Sequence, residues 1–203
     1  MSLSSRDPNP ESTELVSATT VATYREMVRL KDRTSIADLI QKRFEERYLN
    51  PVLDSSAPHG FAMLAICCLM VEALESFRKG WASTESRRGG EPFCAFFQAH
   101  AEFSDLRPVA HDFYHAVRCG ILHQGETTHG WRVNRNPGQL LEISGDVHWV
   151  SAWEFGQRLS SVLAAYCNEL KDSDWDAPIW KKARRKLQKI CENCGVGDAA
   201  GLA

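Results

Sequence analysis

Over most of the chain, apolar positions recur at spacings of three and four, the period of helices with one buried face. From Glu14 to Lys31, Leu15, Val16, Val21, Tyr24, Met27, Val28 and Leu30 predict a first helix. Thr34-Ser35 would cap a second over Ile36 to Tyr48, with Ile36, Leu39, Ile40, Phe44 and Tyr48 as its stripe and Pro51 closing it. After a turn at Ser55 to Pro58, the segment His59 to Trp81 is hydrophobic nearly all round and is expected at the centre of a bundle. Ser83 to Gly90 reads as a charged loop, and Glu91-Pro92 opens a helix carrying Phe93, Phe96, Phe97 and His100. Pro108 fits the first turn of a helix starting near Leu106, with Gly120 and Gly125 marking its fraying end. Trp131 to Arg135 and Gln139 to Ile143 flank Asn136-Pro137-Gly138 and predict a small hairpin at about 131–143. Val150 to Leu170 and Trp175 to Cys191 complete the helices. The expected fold is therefore all-α, a helical bundle with a small inserted β-hairpin.

Composition narrows the class. With 203 residues and 43% hydrophobic positions the chain can bury one sizeable core, expected over 14–194, between flexible tails at 1–13, which has no apolar core of its own, and 195–203. Acidic residues exceed basic ones, 26 against 24, so no global positive field draws the protein onto nucleic acid or an anionic membrane. The apolar run Phe61 to Val71 is followed closely by Glu72, Glu75, Arg78 and Lys79, well short of the roughly 20 residues a span needs. It is expected to be a core helix of a cytoplasmic protein with no membrane contact. Seven cysteines are an odd number, most of them on apolar faces, and Cys191-x-x-Cys194 has no second pair to complete a zinc site. Neither metal nor cofactor is expected.

The residues that carry chemistry lie between Phe113 and Gln124. Arg118 stands among Tyr114, Val117, Ile121 and Leu122, where a guanidinium must recover its lost solvation from an anion, a carboxylate or backbone carbonyls. His123, five positions on, titrates near neutral pH. Together they point to phosphate chemistry. His111 and His115 share a helical face with Arg118 and, with Gln124, are candidate substrate contacts. Lys181 and Arg185, within the basic run 181–189, are candidates for a nucleic-acid backbone, as are Arg87, Arg88, Arg132 and Arg135. A plainer account pairs Arg118 with a carboxylate such as Glu72, locking two helices, with His123 capping a helix end. Trp131, Trp149 and Trp153 read as core or dimer contacts.

The segment Arg118-Cys119-Gly120-Ile121-Leu122-His123 resembles the R-x4-H signature of HEPN proteins, the prokaryotic and eukaryotic nucleotide-binding helical bundles. That resemblance covers one helix. It implies a homodimer in which two motifs face each other, and a metal-independent RNA endonuclease of defence or toxin–antitoxin systems, held in check by an antitoxin or other regulatory protein. Arg118 and His123 carry over as the catalytic pair. Cys119 departs from the family, which most often has asparagine or another polar residue there. The implied reaction is attack of an RNA 2′-hydroxyl on the adjacent phosphate, with His123 as base or acid and Arg118 on the non-bridging oxygens. Residues five apart on a straight helix point about 140° apart, so either the helix distorts near Gly120 or two copies meet about a two-fold axis and pool their side chains, and the pooled site is the favoured expectation. The rival reading is a non-catalytic HEPN-like interaction or nucleotide-binding module.

Overall fold

The computed structural model describes residues 9–54, 59–82 and 90–194. Residues 1–8 and 195–203 of the expected tails, the turn Ser55 to Pro58, and the expected loop as far as residue 89, with Arg87 and Arg88, lie outside them. The chain is mostly helical, with two small sheets. It divides into two compact units, one from the described parts of Met1–Arg43, Phe77–Ala82 and Cys167–Ala203, the other from those of Phe44–Ser76 and Ser83–Tyr166.

In the first unit, residues 9–13 hold a short 3-10 turn, Pro10–Ser12, capped by Asn9. Strands β1 (Glu14–Val16) and β2 (Thr19–Thr20) follow, antiparallel, around Ala18 at φ 62. The helix expected from Glu14 is thus confined to α1 (Val21–Arg29). The cause is local. Val16, Thr19 and Thr20 are β-branched and favour extended backbone, and the Thr20 side chain caps α1 by accepting the Thr23 N–H at 3.3 Å. Helix α2 (Arg33–Phe44) is capped by Asp32 rather than by Thr34-Ser35, with Ser35 N–H donating to Oδ1 at 3.0 Å and its hydroxyl to Oδ2 at 2.7 Å. The last helix of the chain, α9 (Pro178–Cys194), buries Trp180, Ala183, Leu187 and Cys191 at spacings of three and four. The Trp180 indole donates to the Leu170 carbonyl at 2.8 Å, satisfying the one polar atom that ring takes into the core.

The second unit begins with a π-helical stretch, Glu45–Leu49, which runs into α3 (Asn50–Leu53). Helix α4 (Gly60–Lys79) buries Met63, Leu64, Cys67, Cys68, Met70, Val71 and Leu74. Among the described residues it is the one helix long and apolar enough to cross a membrane by length and composition, and those side chains are instead enclosed by protein. Helix α5 (Glu91–Ala99) stops one residue before His100, whose backbone is extended, and a 3-10 helix follows at Ala101–Leu106. Phe93, Phe96, Phe97, Phe103, Phe113 and Phe155 are fully enclosed, and their rings meet at centroid distances such as 5.4 Å for Phe97 with Phe103 and 5.0 Å for Phe103 with Phe155. Each such pair contributes about 0.5–1.5 kcal/mol beyond the area it buries.

The inserted sheet differs from the hairpin expected at 131–143. Strands β3 (Trp131–Asn134), β4 (Leu141–Ser144) and β5 (Val147–Ser151) lie in the order β3-β5-β4, with β3 parallel to β5 and β4 antiparallel to it. The hairpin is therefore β4–β5, turning at Gly145 with φ 58. Asn136-Pro137-Gly138 docks elsewhere: Gly138 N–H donates to Glu154 Oε1 at 2.6 Å, and the Ser151 hydroxyl donates to the Asn136 carbonyl at 2.6 Å. Ser151 Oγ also accepts the Glu154 N–H at 3.2 Å, so α8 (Ala152–Asp172) starts at Ala152 and Val150 belongs to β5.

Candidate functional site

The segment carrying Arg118 and His123 is built in three pieces: α6 (Ala110–Phe113), a π-helical stretch (Tyr114–Cys119) and α7 (Gly120–Gln124). A wide turn inside an α-helix leaves backbone groups out of register and is frequent at functional sites. Here the chain itself returns to meet them. Gly125, at φ 71, ends α7, and the following residues fold back until Thr128 N–H donates to the Ala116 carbonyl at 3.0 Å. Gly120 permits this approach, because a Cβ there would stand 2.5 Å from the Glu126 carbonyl oxygen. The helix starts at Ala110, four residues later than expected, because Leu106 closes the preceding 3-10 turn.

Arg118 donates through Nε to Glu72 Oε1 at 2.8 Å, with 17% and 18% of the two side chains exposed. Its guanidinium lies 5.5 Å from the centre of the Tyr114 ring. Burial opposes the charge, but the hydrogen bond and charge of Glu72 outweigh it and hold the pKa above the ordinary arginine value. Tyr114 packs against Phe93 at 5.6 Å, and its hydroxyl is pushed up by burial and by the Cys119 thiol. The single Nε contact fixes the plane of the fork without occupying both ends with one carboxylate.

His123 is exposed on the last turn of α7, and no hydrogen bond or ring contact joins it to Arg118. The π-helical stretch takes in Arg118 and Cys119, so the helix departs from straight α geometry just before Gly120, and the angle between the two residues is not that of a regular helix. His111 and His115 are brought together, their exposed rings 4.5 Å apart, while Gln124 is exposed beside His123. Lys181 and Arg185 lie on the exposed face of α9, in the first unit. Among the described residues no group of three or more His, Cys, Asp or Glu is placed to hold a metal. Burial pushes the Cys67 thiol up to about 12 and the Cys191 thiol to about 11, which keeps these two protonated at neutral pH.

One element was legible only in part, through Arg132 and Arg135 as candidate contacts to a nucleic-acid backbone. A groove of about 780 Å³ opens between the start of α4, the returning segment 126–130 and β3, with Trp149 of β5 on its wall. His129 lines it with a non-glycine backbone at φ 51, and its Nδ1 meets Thr128 Oγ1 at 2.9 Å. The signal present in the sequence was His129-Gly130 directly before an aromatic and an arginine, a pattern that names no chemistry by itself. No protein-family model, no curated protein and no solved structure matches this chain.

Proposed function

We propose that this protein is a metal-independent RNA endonuclease of HEPN type, acting in the cytoplasm as a homodimer under the control of an antitoxin or other regulatory protein. The observation that carries the reading is the state of Arg118: a partly exposed guanidinium whose plane is set by Glu72 at one nitrogen, on the same helical segment as an exposed histidine. An arginine held in this way presents donors to a phosphodiester without reorganising as charge grows on the non-bridging oxygens. His123 takes the proton of the 2′-hydroxyl, or returns one to the leaving 5′-oxygen, and the products end in a cyclic phosphate and a free hydroxyl. No hydrogen bond or ring contact joins His123 to Arg118 within one chain, and in this reading the site combines Arg118 of one copy with His123 of another.

The same Arg118–Glu72 pair also favours a second reading, an interaction module in which the guanidinium only locks two helices. Incubation of purified full-length protein with mixed RNA in EDTA separates the two. The nuclease reading expects chelator-resistant cleavage with cyclic phosphate ends that falls at least about a hundredfold in His123→Ala and in Arg118→Ala. Equal background in all three proteins supports the module.

A further inference from the structure

We infer that the groove beside the motif is a subsite for one or two nucleotides of single-stranded RNA, with a base face on Trp149 and a phosphate on Arg132. The inference rests on the nuclease reading for the identity of the polymer. Its volume of about 780 Å³ lies within the range of small-ligand clefts. Arg132 is exposed, has no carboxylate partner among the described residues, and lies 5.6 Å from the centre of the Trp149 ring. Register explains why these two meet: Arg132 pairs with Trp149 across β3 and β5, and both stand on the face of the sheet opposite to Trp131 and Val150, which are buried. A half-exposed indole beside an unpaired guanidinium offers stacking for a base and a fork for the phosphate that follows it.

Charge gives the strand a side. Glu142 pairs with Trp149 from the opposite edge, so an anionic backbone is repelled there and held on the Arg132 side. Among the described residues the one carboxylate lining the groove, Glu126, accepts the Thr127 N–H at 2.9 Å. The wall formed by residues 126–130 begins three residues after His123 and is fastened to the motif helix through Gly120 and Ala116. An acidic peptide would satisfy Arg132 but leave the indole face without a stacking partner, and duplex RNA would hide its base faces.

The test is fluorescence anisotropy of the full chain with a dye-labelled, fully 2′-O-methylated single strand, which lacks the nucleophile and cannot be cut. Arg132→Glu and Trp149→Ala are each expected to weaken binding about tenfold, and Trp149→Phe to stay near wild type. Duplex RNA is expected to bind more weakly than the single strand. Unchanged affinity in Arg132→Glu, or duplex bound as tightly as single strand, overturns the subsite; should Trp149→Ala lose its circular-dichroism melt, Arg132→Glu and Arg132→Gln decide. Since no cleavage is read, a chain that never cuts RNA can still show the subsite. A chain that cuts RNA with both variants binding normally loses the subsite and keeps the nuclease.

Discussion

Arg118 and Glu72 form a contact of two charges that are mostly withdrawn from water, and the Coulomb term between them is correspondingly less screened than at the surface. Removing one partner leaves the other partly buried without compensation. Glu72→Gln and Arg118→Gln are each expected to lower urea-unfolding stability by about 1–3 kcal/mol, and the double variant to lose less than the sum by about 1 kcal/mol or more. A double-mutant cycle that closes with no coupling would show that the pair holds nothing together. This partnership was readable in advance, because a carboxylate interrupting so apolar a helix requires a cation and Arg118 is short of an anion. The orientation of His123 was legible only as an angle. Of the groove, Arg132 and Arg135 were legible as cations for a nucleic-acid backbone, but its shape was not, since the other residues that make it are unremarkable one at a time.

At the scale of elements, period found the helices and local hydrogen bonding set their ends. Asp32 illustrates how. Its carboxylate accepts the Ser35 N–H and hydroxyl, and these hold its pKa below the usual carboxylate range. A depressed folded-state pKa means that the stabilisation is complete above the unfolded value near 4 and is lost as pH falls through the folded value. Asp32→Ala is therefore expected to cost about 1 kcal/mol at pH 7, and the difference from wild type in thermal melts to shrink as pH falls through the depressed folded-state value. A gap that persists undiminished in acid would mean that the cap acts through something other than its charge. The errors of sequence reading have the same local origin. Asn-Pro-Gly looked like a hairpin turn, yet its backbone groups are taken up by Glu154 and Ser151. Strand β5 was hidden in part because it runs into α8 without a break, so that Val150 reads as the first residue of the helical stripe.

For the molecule as a whole, the lack of contact between Arg118 and His123 within one chain becomes a statement about assembly. If Arg118 of one copy works with His123 of another, a mixed pair of Arg118→Ala and His123→Ala chains contains one intact site and one doubly defective site. Two proteins that are inactive alone should then regain about a quarter of wild-type cleavage when unfolded together and refolded at equal concentration. No recovery in a mixture shown by light scattering to be dimeric would place both residues in one copy. Oligomerisation could not be read from periodicity, which reports which face is apolar and not what covers it. The helical class was legible because seven of the apolar stripes are long, and the three-stranded sheet was not, because its pairing is decided between segments far apart in sequence.

That order of strands has a consequence for anyone seeking a minimal fragment. Since β3 is parallel to β5, the two cannot be joined by a tight turn, and the connection between them must carry β4 around the edge of the sheet. Arg132 and Trp149 become neighbours only when that whole excursion is in place. A synthetic peptide spanning β3 alone, or one spanning the β4–β5 hairpin alone, would hold half of the cation–indole plate and neither its spacing nor its tilt.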